Sequence, residues 1–263
     1  MPHFAGIDLA WTPHHESGVC VVAGAGKRAR LVSLGADVVS PVGLAEELAA
    51  LGPDVVAAVD APLLVGPERT AERILARLFG KYRASAHSAN AELLSTTNRM
   101  AGPLLATELE RRGFALDPLR LDSGARGRYA FEVYPHAAHV CWFELDERIK
   151  YKRKPKVGVD ASRAGLRLLQ GYLSTRLEVE LPAVCRDLGP TLAPAAVEVR
   201  GKALKRLEDE LDAVTCMLAA YLGWREGLTG GDIVGDVETG YVVVPGLSRD
   251  RRFVTSAPAP TSP

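Results

Sequence analysis

The sequence predicts an α/β domain on a mixed sheet, three antiparallel strands followed by parallel ones, flanked by helices, with a helical insertion and a C-terminal hairpin. Three observations carry this expectation. The first sixty residues hold strand-like runs punctuated by Gly and charged residues. The apolar, β-branched run 54–59 stops abruptly at Asp60-Ala61-Pro62, as a strand buried on both faces does. Near the end of the chain, Leu204, Leu207, Leu211, Val214, Leu218 and Tyr221 repeat at helical spacing.

In chain order, residues 4–10, 18–24 and 29–34 read as an antiparallel meander, with Gly, Lys and Arg turning the chain between the second and third runs. Pro41 opens a helix through residue 51, and 54–59 is the fourth strand. Residues 68–125 read as a helical insertion broken by Gly80, the polar stretch 85–98 and Gly102-Pro103. Strand character returns at 128–134, with Glu132 and Tyr134 on one face and Phe131 and Val133 on the other. A short helix over 137–145, a helix over 160–177, a breaker-rich loop over 182–194 and a long helix over 197–226 follow. A hairpin over 232–236 and 241–244 ends the fold, and the Ala/Pro/Ser/Thr-rich tail 256–263 is expected to be disordered. The reading is one domain over 1–255, without internal repeats.

Composition bounds the function. With 32 Lys plus Arg against 32 Asp plus Glu, the 263-residue chain carries no net charge, so no global field steers a polyanion toward it. An apolar fraction of 47% and a charged fraction of 24% exclude a disordered or fibrous chain. No apolar run nears the roughly 18 residues of a membrane span, and no secretory leader opens the sequence, so a cytoplasmic location is expected. Cys20, Cys141, Cys185 and Cys216 are widely spaced among apolar neighbours, which points to reduced, buried thiols without disulfide partners or a zinc site.

The chemistry-bearing residues are acidic. Asp8 and Asp60 end strands, and Asp209 and Asp212 lie about 60° apart around the last long helix, Asp212 nearer its apolar stripe. Carboxylates drawn together from remote positions repel one another unless a hard cation intervenes, Mg²⁺ or Mn²⁺ being the usual choice. Two such ions about 4 Å apart would clamp the attacking and leaving oxygens of a phosphodiester. Each residue also has a plainer use: a strand-end Asp caps turns, Asp209 sits beside Glu208 and Glu210 on a face that reads as solvated, and Glu132 can pair with a nearby Arg.

Arg148 to Lys156 concentrates six cations, among them Lys150, Lys152 and Lys154, with Tyr151 between, a pattern suited to phosphate contacts and base stacking or simply to a solvated loop. Arg83, His87 and Asn90 form a second polar group, either for substrate or at an exposed helix–loop junction, and His87 titrates near neutrality.

Gly6-Ile7-Asp8-Leu9-Ala10-Trp11, Val59-Asp60-Ala61-Pro62, Glu132-Val133-Tyr134-Pro135 and Asp212-Ala213-Val214 resemble the signature segments of the family catalogued as domain of unknown function 429. The resemblance spans nearly the whole chain. It implies an RNase H-like fold related to RuvC-type resolvases and a metal-dependent nuclease activity on DNA or RNA. It also implies that Asp8 takes the first-strand metal position, Asp60 the fourth-strand carboxylate and Asp212 the last-helix acid, with Asp209 one turn before. Glu132 belongs to the family's own Glu-x-Tyr-Pro pattern, as a metal ligand, a base or a substrate contact.

Two rival expectations remain. An ATP-dependent small-molecule kinase of the related actin-like fold also opens on Gly-Ile-Asp, but needs a Gly-rich phosphate turn where Leu9-Ala10-Trp11-Thr12-Pro13 stands. A catalytically silent nucleic-acid-binding module would leave Asp8, Asp60 and Asp212 more than about 8 Å apart and without a shared pocket, since paired metals sit near 4 Å. On any reading, the balanced charge predicts nucleic-acid affinity that is local, modest and salt-dependent.

Overall fold

The computed structural model describes residues 1–12, 15–86, 88–97, 99–152 and 158–254. A five-stranded sheet in the order β3-β2-β1-β4-β5 is formed by β1 (His3–Asp8), β2 (Ser17–Ala23), β3 (Arg30–Asp37), β4 (Val55–Val59) and β5 (Arg128–Glu132). The β1–β2 and β2–β3 pairs are antiparallel; β1–β4 and β4–β5 are parallel. The expected meander and parallel strands are therefore present, with β1 ending at Asp8 and β3 running on to Asp37. A separate hairpin, β6 (Ile233–Asp236) and β7 (Gly240–Val243), touches the sheet through a parallel bridge between Val133 and Val243.

Period-two alternation sends the strands' side chains to two cores. Phe4, Val56, Ala58 and Phe131 pack against α6 (Val159–Glu180) and α9 (Lys202–Glu226). Ala5, Ile7, Ala57 and Val59 pack against α1 (Pro41–Ala50) and α4 (Ala101–Arg111). The insertion supplies α2 (Ala71–Phe79), α3 (Ala91–Thr96) and α4; α2 and α5 (Pro135–Trp142) share a third core with the hairpin.

Four expectations need correction. The stretch expected as a loop over 182–194 contains two short helices, α7 (Pro182–Asp187) and α8 (Gly189–Leu192), because their prolines occupy first-turn positions where the missing N–H costs nothing, while Ala183, Val184 and Leu192 are buried. Helix α9 begins at Lys202, not at 197, because residues 194–198 coil as a 3₁₀ turn and Gly201 breaks the chain at φ 59°. Helix α5 starts at Pro135 and stops at Trp142, short of 145. All four cysteines are free thiols, but Cys185 is only half-buried. The tail 256–263 lies outside the described residues.

The approach of α9 to the sheet positions everything that follows. A Cβ on Gly6 would fall 2.0 Å from the Ala213 carbonyl oxygen, and one on Gly18 would fall 2.1 Å from that of Asp209. Helix backbone thus lies directly on strand backbone, which only glycine permits. The same crossing brings residues 209–213 over the ends of β1 and β2.

Candidate functional site

Asp8 is the last residue of β1, and Asp60 follows β4 immediately. Because the two strands are parallel neighbours, with Ile7 opposite Val59 and the Asp60 N–H donating to the Ile7 carbonyl at 2.8 Å, both carboxylates leave the same sheet edge side by side. Helix α9 adds Asp209 and Asp212, whose side chains are 4% and 0% exposed. The solvated face expected for Asp209 is instead turned inward, since the contact at Gly18 presses its backbone onto β2.

Lys152 enters the middle of this group. Its Nζ lies against Asp212 Oδ2, 3.7 Å from Glu208 Oε1 and 3.9 Å from Asp8 Oδ2. One ammonium reaching both aspartates keeps their oxygens less than twice 3.9 Å apart. Tyr151 O–H donates to Asp212 Oδ1 at 2.6 Å. Lys205 pairs with Asp209 Oδ1 and stands 3.3 Å from Glu208 Oε1.

The electrostatics follow from crowding acids in a partly dry corner. Burial raises the pKa of Asp8, with the Lys152 ammonium pulling it down and Asp212 pushing it up. Asp60 is pushed well above the usual carboxylate range by burial and then by the Asp8 charge, and no described residue forms a hydrogen bond or ion pair with its carboxylate. Burial also lifts Asp209 to about 7, against the pull of the Lys205 ammonium and with the push of the Asp8 charge. Asp212 behaves oppositely: burial works against its charge, but Lys152 and Tyr151 outweigh it and hold the pKa below the ordinary value. His136 and His139 border this corner, both kept neutral chiefly by burial, His139 at about 4.

The corner opens into a cleft of about 1000 Å³ that Asp8, Asp60, Asp209 and Glu132 line together. Glu132 is committed elsewhere. Its Oε1 accepts from Arg69 at 2.6 Å, its Oε2 from Arg69 at 3.0 Å and from the Leu63 N–H at 3.1 Å, so the partner for this acid is an arginine from the insertion. Cations also reach the cleft: Arg83, Arg99, Arg148, Lys152, Lys202 and Lys205.

The remaining candidates separate. Arg83 lines the cleft and pairs with Glu147 at 3.2 Å. Asn90 caps α3, its side chain accepting from the Leu93 N–H at 2.7 Å, and is not among the cleft's lining residues. Lys150 is exposed and pairs with Glu147 at 2.8 Å. Tyr151, read from sequence as a stacking aromatic, is fully buried against His136 and Asp212 and presents no ring to a base. His87 and Lys154 lie outside the described residues. Sequence reasoning missed Lys205, Glu208, Arg99 and Lys202; the first two were signalled by the i,i+3 and i,i+4 spacing of Lys205, Glu208 and Asp209 on one helix.

Chemically, the corner offers hard oxygen donors: the carboxylates of Asp8 and Asp60 line the cleft from adjoining strand ends, and Asp60 meets no donor among the described residues. Those are the donors a Mg²⁺-like ion takes, commonly one or two carboxylates with water completing the shell. Among the described residues, no group of three or more His, Cys, Asp or Glu side chains is placed to hold an ion as a preformed cage.

No curated protein and no solved structure matches the chain. Among the described residues, no helix is long and apolar enough to cross a membrane. A family model described as "Protein of unknown function (DUF429)" matches residues 6–232, from the glycine on which α9 rests to the start of the terminal hairpin, and the chain belongs to that family.

Proposed function

We propose that the protein is a cytoplasmic, metal-dependent nuclease that hydrolyses phosphodiester bonds of DNA or RNA with Mg²⁺ or Mn²⁺. The observation that carries this reading is the meeting of Asp8, Asp60, Asp209 and Asp212, from three remote stretches of chain, at the acidic end of a cleft whose walls bear Arg83, Arg99, Arg148 and Lys202. A polyanion suits such a cleft only if the acids are neutralised, and a divalent cation does both tasks at once.

Asp8 and Asp60 would hold the ion, with Asp209 alongside. When bound, it would lower the pKa of water and offset charge on the phosphate. The protein's own groups do the rest. Asp209, a cleft-lining carboxylate lifted toward neutrality by burial, would accept the proton lost by the attacking water. Water oxygen bonds to phosphorus, the bond to the leaving oxygen breaks, and that oxygen takes a proton from solvent. Arg148 and Lys202 orient the flanking phosphates, and Glu132 with Arg69 fixes the strand end beneath them.

Purified protein is expected to cleave single-stranded, duplex, junction or flap substrates in Mg²⁺ or Mn²⁺, and Asp8→Asn protein is not. Equal inertness of wild type and variant over all four, in protein that binds no divalent ion, refutes the reading. One observation favours a second reading, a silent binding module: Lys152 already neutralises Asp212. Oligonucleotide affinity unaffected by Mg²⁺ and unaccompanied by cleavage would select it.

A further inference from the structure

In the acidic corner, one of the four aspartates already has its cation. Asp212 is completely buried; its Oδ1 accepts from the Tyr151 hydroxyl at 2.6 Å, and its Oδ2 forms an ion pair with the Lys152 ammonium without a hydrogen bond among the described residues. Lys152 is itself held in place. Its ammonium is 3.7 Å from Glu208 and 3.9 Å from Asp8, and the preceding Tyr151 is fully buried. Helix α6 braces this segment from behind: a Cβ on Gly165 would fall 2.3 Å from the Lys150 carbonyl oxygen, so helix and segment meet backbone to backbone.

What remains is one pair of acids. Among the described residues, Asp212 pairs with Lys152 and Asp209 with Lys205, Glu208 lies within reach of both ammoniums, and Asp8 meets the Lys152 ammonium at 3.9 Å. Asp8 and Asp60 together make one seat for a divalent ion. Asp60, whose carboxylate meets no donor among the described residues, stands beside Asp8 at adjoining strand ends. A Mg²⁺-class ion is satisfied by two such carboxylates with water and substrate oxygens.

We propose that the centre takes a single divalent cation, seated by Asp8 and Asp60, and that the Lys152 ammonium is a built-in second cation, occupying Asp212 permanently. This rests on the phosphodiester reading and narrows it from two ions to one. The side chain of Lys152 is 30% exposed toward the cleft, so a phosphate entering beside the ion meets a fixed positive charge that does not dissociate when the metal is scarce. Lys152 is in this sense a substrate-facing group and not a loop cation.

The test counts bound Mn²⁺ on the full chain by calorimetry and, independently, by electron paramagnetic resonance, so that it does not depend on cleavage. Wild type is expected to bind one Mn²⁺. Asp60→Asn should weaken that ion at least about tenfold. Asp212→Asn should still bind one, because Asp212 serves Lys152, and Lys152→Met should gain a second by freeing Asp212. Two ions in wild type, or loss of an ion in Asp212→Asn, overturns the single-cation inference and leaves the nuclease reading standing. A folded wild type that binds no Mn²⁺ overturns both. If Lys152→Met does not fold, the wild-type and Asp212→Asn counts decide the matter alone.

Discussion

Two carboxylate sites face the same cleft and are built in opposite ways. At the end of β5, Glu132 receives both arms of Arg69 and the Leu63 N–H, and Arg69 in turn donates to the Leu64 carbonyl and to Glu72. The Arg69 side chain is fully buried, yet Glu132 and Glu72 hold its charge more firmly than in water. At the ends of β1 and β4, Asp60 meets no donor among the described residues and Asp8 has an ammonium 3.9 Å away. A carboxylate whose lone pairs are filled by the chain ties segments together, here β5 to the loop after β4. One whose lone pairs are unfilled makes the fold less stable and is kept for something that arrives from outside.

The sharpest way to break that contrast is to remove the clamp. Arg69→Met leaves Glu132 and Glu72 without their cation and is expected to cost about 3–5 kcal/mol of stability in denaturant titration. Asp60→Asn, which deletes an unpartnered charge, should leave stability unchanged or raise it. Equal losses in the two variants would erase the distinction.

Next in size is activity. Asp8→Asn should reduce Mg²⁺-dependent cleavage about 100-fold or more, equivalent to about 2.7 kcal/mol of barrier, with the melting temperature preserved. Cleavage that survives this change would show that the acidic corner is not where chemistry occurs.

The pH dependence comes from both sites. Burial raises Asp209 from 3.8 and Glu132 from 4.5 to about 7 each, and Asp8 and Asp60 also move upward. Between those values the folded chain holds a proton that the unfolded chain has released, so metal-free stability should fall as pH rises from about 4 to about 7 and stay low above it. Thermal melts across that range should show the decline, Asp209→Asn should make it shallower, and Mn²⁺ should reverse it at the alkaline end. The smallest expected effect belongs to the rim: Lys202→Ala should lower the slope of log affinity for a single-stranded oligonucleotide against log salt by about 0.7, one phosphate contact.

Much of this was legible in the sequence, for identifiable reasons. Asp8 and Asp60 terminate apolar runs, and parallel strands place consecutive termini at one edge, so their proximity follows from local pattern. Asp209 did not yield to the same reasoning. In one dimension, Glu208, Asp209 and Glu210 look like a solvated helix face; what buries the first two is the glycine contact of α9 with β2, a property of two segments at once. Tyr151 misled for a similar reason, since an aromatic within a run of cations resembles a stacking residue until Asp212 is found against its hydroxyl. Glu132 and Arg69 are 63 residues apart, and nothing local links them.

The sequence by itself determined the strands, the long helix, the mixed sheet and the stretches that supply the acids, because hydrophobic periodicity and strand-ending carboxylates are encoded over a few residues. Only the tertiary structure decided which charges neutralise which. Asp212 is held by Lys152, Glu132 by Arg69, and Asp60 by no described residue. Ion pairing depends on distances of a few ångströms between segments that are remote along the chain, and burial decides how much each pair matters.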